Sequence, residues 1–172
     1  MFKNILILNT GGTFNKTYSQ IKGKLEVPTH SNVLNTILKD IYKTNKIPNI
    51  KTIISKDSLD ITKKDRKILL ENIISSNEEN IIIIHGTDTM NKTAKFLNKR
   101  VKNKTIILTG SMQPFSISKI EPTGNLLMAL GFIQNINKSG VYISMNGLVD
   151  KFTKIKKDYK KAVFKKRSKI DE

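Results

Sequence analysis

Cysteine and tryptophan are absent from this 172-residue chain, and histidine occurs only as His30 and His85. Without cysteine there is no disulfide framework and no thiolate metal site. Two histidines make a histidine-based zinc site hard to build. We therefore expect no metal ion and no cofactor to take part in the chemistry of this protein.

Long hydrophobic runs are also missing. No apolar stretch approaches the roughly 18 residues that a membrane-spanning helix needs. The apolar block in the opening MFKNILILNTGG is too short for a secretory signal. We expect a cytoplasmic protein with no membrane partner. Its length is typical of one domain that buries most of its apolar surface.

Arginine is scarce although the formal net charge is +17, because nearly all of the positive charge is lysine. Arginine is the residue best suited to contact phosphates and base edges, and it occurs only as Arg66, Arg100 and Arg167. The aromatic residues do not interleave with a basic stripe as a base-stacking surface would. We interpret most lysines as solvated surface and expect no nucleic-acid partner. The exception is Lys151 to Lys169, where the charge is locally dense.

Five short apolar blocks alternate with stretches of helical period. Each block is β-branched or leucine-rich and bounded by polar or glycine residues, which is typical of strands. They are Ile5–Leu8, Ile50–Ile54, Ile81–Ile84, Thr105–Leu108 and Val141–Ser144. The helical stretches are Val33 to Ile41, a segment after Thr62 in which Asp65 completes a capping-box pattern, Thr93 to Lys99, and Gly124 to Ile136.

This alternation predicts an α/β fold. We expect a mostly parallel sheet of about five strands with helices on both faces, a Rossmann-like three-layer arrangement. We assign residues 1–150 to this domain and residues 151–172 to a basic helical tail that belongs to it. Residues 11–30 have no period and are too long for an ordinary connection, so we predict a lid over a site.

The four isoleucines Ile81–Ile84 lead directly into HGTDTM. Such a run suits a strand buried on both faces, and in open parallel sheets ligands bind just beyond the carboxyl ends of the strands. The first and fourth predicted strands end in TGGTF and TGSMQP, which also combine glycine, hydroxyl groups and a turn. Such turns let backbone approach a small ligand and hold an anion or oxyanion. Alternatively, Thr87 and Asp88 form a helix N-cap with a first-turn carboxylate, and both roles are compatible.

The motifs occur in a recognisable order: TGGT at 10–13, DSLD at 57–60, HGTDTM at 85–90, LTGSM at 108–112, then Glu121 with Asn125-Leu126. Together they resemble the L-asparaginase/glutaminase family of bacterial type. The resemblance covers roughly residues 3–150 and corresponds to that family's N-terminal domain. It implies an amidohydrolase that cleaves the side-chain amide of asparagine, or a related small amide, to the acid and ammonia.

The resemblance also implies roles for particular residues. Thr13 matches the nucleophile that forms an acyl-enzyme, and a threonine hydroxyl needs a neighbouring base to react. Thr87 and Asp88 match a threonine–aspartate–lysine grouping, in which Thr87 orients the water or amide and Asp88 holds the lysine or the substrate's amino group. His85 is structural by the same comparison. The implied substrate-binding positions are Gly12, Ser58, Asp60, Gly86 and Ser111.

The lysine of that grouping and the family's lid tyrosine are less directly matched. FTK at 152–154 and IKK at 155–157 both fit a hydrophobic-x-Lys pattern. We favour Lys157, because Phe164 then stands at a suitable spacing to match the aromatic residue that follows the lysine in short members of the family. The alternatives are that Lys154 or Lys156 is the site lysine, or that these lysines are solvated surface residues. The lid tyrosine would fall near Leu25, and the nearby candidate is Tyr18, five residues beyond Thr13.

Two departures from the family pattern shape the functional hypotheses. Leu59 replaces a glutamine and cannot hydrogen-bond, so substrate selectivity is open. The chain resembles a short, single-domain form whose closing groups come from its lid, its tail or a partner protomer, and we expect a homodimer or larger homo-oligomer. The alternative to amide hydrolysis is a catalytically weak module that binds a small amino acid or anion.

Overall fold

The computed structural model describes residues 3–43 and 47–168. Its helices and strands follow the alternation that the sequence predicts. In chain order they are β1 (Ile5–Gly11), β2 (Thr17–Ser19), β3 (Lys24–Glu26), α1 (Val33–Tyr42), β4 (Asn49–Lys56), α2 (Lys63–Ser75), β5 (Asn80–Ile84), α3 (Met90–Asn98), β6 (Thr105–Thr109), α4 (Ile120–Asn135), β7 (Gly140–Met145), β8 (Leu148–Lys151), β9 (Ile155–Asp158) and β10 (Val163–Lys166).

The main sheet has six strands in the order β4-β1-β5-β6-β7-β8. Its first five strands are parallel, and β8 pairs antiparallel with β7. The predicted α/β fold with a mostly parallel sheet is therefore confirmed. The sixth strand is an addition to the predicted five, and it forms because the chain turns back at Asn146 and Gly147, both of which have positive φ.

Helices cover both faces of this sheet. Within β5 the buried isoleucines alternate, so that Ile81 and Ile83 pack with α2 and α3 while Ile82 and Ile84 pack with α1 and α4. All four side chains are fully buried. A strand that is apolar on both sides belongs in the middle of a three-layer structure, which explains the unbroken isoleucine run.

The predicted capping box at the start of α2 is confirmed. The Thr62 hydroxyl accepts a hydrogen bond from the Asp65 amide at 3.2 Å, and the Asp65 carboxylate accepts one from the Thr62 amide at 2.7 Å. The box follows the short 3-10 helix Ser58–Asp60, whose C-cap is Ile61, and fixes where α2 begins.

The prediction of a helical tail is wrong for the part of residues 151–172 that the structure describes. Strands β9 and β10 form an antiparallel hairpin instead. Ile155 and Phe164 are its buried residues, and both join the core on the α2–α3 side of the sheet. The hairpin forms because these two side chains can be buried there only if the basic residues alternate with them in extended strands. Residues 169–172 lie outside the described range.

The predicted lid is partly regular. Strands β2 and β3 form a small antiparallel hairpin within residues 11–30.

Across the two described ranges, no helix has the length and apolar character needed to cross a membrane.

Candidate active site

Loops from three strands meet at the carboxyl edge of the sheet. A Cβ added to Gly12 would lie 2.4 Å from the Gly86 amide nitrogen, so the turn after β1 touches the turn after β5. A Cβ added to Gly86 would lie 2.6 Å from the Ser58 Cβ, so the turn after β4 touches the same point from the other side. Glycine at both positions permits this approach of loop to loop.

Thr13 stands directly after Gly12, at the start of a short 3-10 helix. A pair of buried asparagines supports this turn: the Asn15 amide donates to the Asn9 side chain at 2.9 Å and to the Gly11 carbonyl at 2.8 Å. The Thr13 side chain is partly exposed. In the described ranges its hydroxyl has no hydrogen-bond partner, so it is open to a ligand.

Thr87, Asp88 and Lys157 form one hydrogen-bonded group. The Lys157 Nζ donates to the Thr87 hydroxyl at 2.7 Å and to the Asp88 carboxylate at 2.6 Å. Only 8% of the Lys157 side chain is exposed, against 65% for Lys154, whose ammonium is 4.0 Å from Asp150. Of the alternatives left open by the sequence, Lys157 is thus the lysine that reaches Thr87 and Asp88.

Ser58 is buried between the loops that carry the other site residues. Its hydroxyl accepts a hydrogen bond from the Asp88 amide at 3.2 Å, and its carbonyl accepts one from the Thr89 hydroxyl at 2.7 Å. The Ser58 hydroxyl accepts in its one hydrogen bond to another described residue. Its own proton is therefore available for donation to a ligand. Leu59, by contrast, is 72% exposed and points away from this contact.

A cavity of about 400 Å³ lies between the lid hairpin and the end of β4. Asp60 and Asp57 line it together with Lys16, whose ammonium is 2.6 Å from the Asp57 carboxylate. Burial alone would raise the pKa of Asp57, but hydrogen bonds from Lys16 and the Leu59 amide outweigh it and lower that pKa. The ion pair fastens the base of the lid to the turn that carries Ser58 and Asp60.

Tyr18 lies in the lid rather than against the other site residues. It is 63% exposed and pairs across the hairpin with Leu25, the position where the family resemblance places a tyrosine. The two positions are cross-strand neighbours, so a tyrosine at 18 and one at 25 occupy adjacent points on the lid. The structure contains no hydrogen bond between Tyr18 and Thr13 within its described ranges.

Ser111, another predicted site residue, makes its side-chain hydrogen bond within its own loop. Its hydroxyl donates to the Gln113 carbonyl, two residues along the same loop. The loop itself is held by Glu121, whose carboxylate accepts hydrogen bonds from the Met112 and Gln113 amides at 3.0 Å each. Asn125 adds a hydrogen bond to the Gly110 carbonyl at 2.9 Å. Glu121 and Asn125 therefore shape the turn after β6.

His85 and Arg66 form a buried network beneath the site. The His85 Nδ1 donates to the Gly86 carbonyl at 2.8 Å, and its Nε2 accepts from the Thr93 hydroxyl at 2.9 Å. Arg66 donates to Thr93 at 2.9 Å and to Thr89 at 3.2 Å. The pKa of His85 is lowered to about 4, because burial and, to a smaller extent, the charge of Arg66 outweigh the hydrogen bond to the Gly86 carbonyl, which raises it. The imidazole is therefore neutral at pH 7. A neutral histidine with both nitrogens engaged supports a structural role.

Sequence reasoning missed three contributors to the site. Asn9 and Arg66 act through buried hydrogen bonds that connect distant segments, and no local pattern marks such partners. Tyr159 lies beside Lys157, and its hydroxyl donates to the Asp88 carbonyl at 2.9 Å. Its place two residues after Lys157, at the first position beyond β9, is the one local signal.

No metal centre is built from the side chains of residues 3–43 and 47–168. Within those ranges, no three histidine, aspartate or glutamate residues are grouped so that they could hold a metal ion. The polar groups that converge are instead hydroxyls, one carboxylate and one ammonium. This set can accept and donate protons around a small polar ligand.

Comparison with known proteins places this arrangement in a wider context. Residues 4–164 match the family model described as Asparaginase, N-terminal. The glutaminase-asparaginase of Acinetobacter glutaminasificans is 29% identical over 157 residues, which is 83% of this chain and 46% of that protein. L-asparaginase 2 of Escherichia coli K12 is 33% identical over 161 residues, covering 85% of this chain and 44% of that protein. The chain thus spans less than half the length of the curated relatives it matches.

Solved structures extend the comparison. The L-asparaginase structure from Thermococcus kodakarensis superimposes with a TM-score of 0.78 at 22% identity, over 95% of this chain and 51% of that one. A probable cytoplasmic L-asparaginase from Campylobacter jejuni gives 0.77 at 24% identity, over 95% of this chain and 53% of that one. At these identities the superpositions show a shared fold.

Proposed function

Because the chain belongs to the asparaginase family through its N-terminal domain, we propose that it hydrolyses the side-chain amide of asparagine or a related small amide. The products are the corresponding acid and ammonia. The observation that carries the proposal is the Lys157–Thr87–Asp88 group beside the Thr13 turn. It unites a candidate nucleophile with proton-handling groups that come from residues far apart in the sequence.

The proposed reaction has two stages. In the first, the Thr13 hydroxyl oxygen attacks the amide carbon and its proton passes to a base, after which the carbon–nitrogen bond breaks. The nitrogen takes up a proton and leaves as ammonia, while Thr13 keeps the acyl group as an ester. In the second, water attacks the ester carbon, gives its proton to a base and releases the acid, and Thr13 regains its hydroxyl proton.

We assign the proton-handling roles from geometry. Thr87 and Lys157 are coupled by a 2.7 Å hydrogen bond, so a proton can move between the Thr87 hydroxyl and the lysine. Asp88 holds the lysine in place at 2.6 Å. Tyr18 is the candidate base for Thr13 in the first stage, and it acts when the lid hairpin lies over the site.

The substrate is held on the other side of the site in this proposal. The Ser58 hydroxyl donates to the substrate carboxylate, and Asp60, which lines the cavity beneath the lid, accepts from its ammonium group. Gly12 and Gly86 bring the two loops together, and Ser111 shapes the loop after β6. The exposed side chain of Leu59 gives the substrate no hydrogen bond, so recognition of the substrate's carboxylate and ammonium groups rests on Ser58 and Asp60. Asparagine and glutamine share those two groups, so the choice between them is made elsewhere in the site.

One observation favours the alternative of a binding module with weak turnover. The Thr13 hydroxyl has no base within hydrogen-bond distance in the described part of the chain, and Tyr18 is 63% exposed. If Tyr18 never reaches Thr13, the site binds a small amino acid and reacts slowly. Such a ligand would raise the thermal stability of the native protein without being consumed.

The test is ammonia release from a panel of amides, asparagine and glutamine included. We expect Thr13→Ala to lower turnover by roughly a thousandfold or more, because it removes the nucleophile. We expect Lys157→Met to lower it by about a hundredfold, because it removes a proton-handling group. Lys154→Met is the matched control and should keep wild-type turnover. No turnover by folded wild type, together with thermal stabilisation by aspartate, would favour the binding module.

We also propose a homo-oligomer in the cytoplasm. Large apolar side chains are exposed in the single chain, among them Leu59 at 72%, Ile21 at 98% and Ile120 at 86%. A second copy would cover such groups. The related Campylobacter jejuni protein is described as cytoplasmic and the Haemophilus influenzae relative as periplasmic, so cell fractionation decides location. A strictly monomeric species with full activity in light scattering would refute the oligomer.

A further inference from the structure

Tyr159 makes two contacts with the group formed by Lys157, Thr87 and Asp88. Its hydroxyl donates to the Asp88 carbonyl at 2.9 Å, and the Lys157 ammonium lies 5.2 Å from the centre of its ring. This distance is within the range of a cation–π interaction. One side chain therefore contacts both the lysine and the loop that the lysine must reach.

The two contacts join separate elements of the fold. Lys157 belongs to the β9–β10 hairpin, whereas Thr87 and Asp88 belong to the turn between β5 and α3. The start of the hairpin is fixed by Asn91, which donates to the Ile155 carbonyl at 2.8 Å, and its return strand is fixed by Asn146, which accepts from the Phe164 amide at 2.9 Å. The first bond lies at the base of the hairpin, and the second lies on Phe164, which is paired with Lys157 one step from the turn.

The tip of the hairpin is held differently. Its turn amides at 160 and 161 donate to Asp158, within the hairpin itself. Among residues 159–162, the hydroxyl of Tyr159 makes the one hydrogen bond to a described residue outside the hairpin. Tyr159 is nevertheless 68% exposed, so burial of apolar surface does not explain its position.

We propose that Tyr159 is a positioning residue that keeps the Lys157 ammonium on Thr87 and Asp88. The hydroxyl anchors the tip of the hairpin to the Asp88 loop, and the ring covers a face of the ammonium that would otherwise meet water. Its consequence for catalysis rests on the proposed amide hydrolysis. The geometric part does not, because it concerns how accessible Lys157 is in the resting protein.

The test measures the accessibility of Lys157 directly. Reductive methylation with formaldehyde and cyanoborohydride, followed by peptide mass spectrometry, gives a rate for each lysine. In wild type, Lys157 should react more slowly than the exposed Lys160 of the same turn. Tyr159→Ala should raise the Lys157 rate about tenfold, and Tyr159→Phe, which keeps the ring, about threefold. The Lys160 rate should not change in either variant.

Lys161→Ala is the matched control, since it alters the same turn without touching Lys157, and it should leave the Lys157 rate at the wild-type value. If Tyr159→Ala does not fold, the Tyr159→Phe rate decides alone. A Lys157 rate that is the same in wild type and in the folded Tyr159 variants would overturn the inference.

Activity measurements separate this inference from the proposed function. With an active wild type, Tyr159→Ala should lower kcat about tenfold with little change in KM, because Lys157 handles protons and does not bind substrate in this scheme. An active wild type with unchanged kcat and unchanged methylation rates in Tyr159→Ala removes the positioning role and keeps the function. An inactive wild type with the expected methylation rates removes the function and keeps the positioning role.

Discussion

Acid should destabilise this protein through one buried side chain, His85. The imidazole is fully buried and gives its Nδ1 proton to the Gly86 carbonyl, while its Nε2 accepts from Thr93. Burial, opposed by the hydrogen bond to the Gly86 carbonyl and assisted by the charge of Arg66, lowers the pKa of His85 to about 4. Protonation would place a second positive charge beside Arg66 and remove the acceptor that Thr93 uses.

The size of the effect follows from the difference between folded and unfolded pKa values. In the unfolded chain the imidazole titrates near pH 6.5. Between that value and about 4 the unfolded chain binds a proton that the folded chain does not, so the free energy of unfolding falls as the pH falls. One such group removes about 2 kcal/mol by pH 5 and about 3 kcal/mol by pH 4, relative to pH 8. Below the folded pKa both states bind the proton and the loss levels off.

Urea denaturation of wild type and His85→Asn, at several pH values from 8 to 4.5, measures this contribution. Asparagine keeps a donor for the Gly86 carbonyl but does not titrate, so the variant should be less stable at pH 8 and lose less stability on acidification. Asp57 and Asp65 have lowered pKa values, because hydrogen bonds to lysine and backbone groups outweigh their burial. The stability that these two carboxylates contribute is therefore lost only at lower pH, and it is lost in both proteins.

His30→Asn is the control, since His30 is exposed, and it should keep the wild-type pH dependence. Equal losses of stability in wild type and His85→Asn between pH 8 and pH 4.5 would refute the reasoning. The neutral, doubly bonded imidazole would then not be the group that acid disrupts.

Two further substitutions test the packing that builds the site. Gly12→Ala should destabilise the fold by more than Gly147→Ala. Both glycines have positive φ, and an alanine at either position costs about 1 kcal/mol for that reason. Only the Cβ at position 12 would also clash with the backbone of Gly86. Urea midpoints measure the difference, and equal losses would contradict the close contact between the loops. Phe164→Ala should cost roughly 3–5 kcal/mol because the ring is fully packed in the core. Val163→Ala on the exposed face of the hairpin should cost under about 1 kcal/mol, and a comparable loss in the two would show that the hairpin is not docked through Phe164.

The sheet and its loops could be predicted because their signals are local. Ile81–Ile84 are buried on both faces, and a run of β-branched residues is what a central parallel strand requires. Parallel strands also bring their carboxyl ends to one edge, so the three glycine- and hydroxyl-rich segments had to meet. The contact between Gly12 and Gly86 confirms that the first two of these segments meet.

The β9–β10 hairpin could not be predicted in the same way. Its turn has no glycine, proline or asparagine, and the residue with positive φ is Ala162. Such a backbone is rare for alanine, so the usual turn signal is missing. Dense lysine also suits an exposed helix as well as an exposed strand. The deciding contacts are long-range, with Ile155 and Phe164 packed into the core.

The register of this hairpin explains which lysine enters the site. Lys157 is paired directly opposite Phe164, and residues opposite each other in an antiparallel pair share one face of the ribbon. Burial of Phe164 turns that face toward the domain, so Lys157 is turned inward with it, and Ile155, two residues earlier, joins the core on the same side. Lys156 is paired with Lys165 and therefore lies on the opposite face. A slip of one residue would exchange the two lysines and expose the hydrophobic anchors, so the apolar residues of the tail select which lysine contacts Thr87 and Asp88.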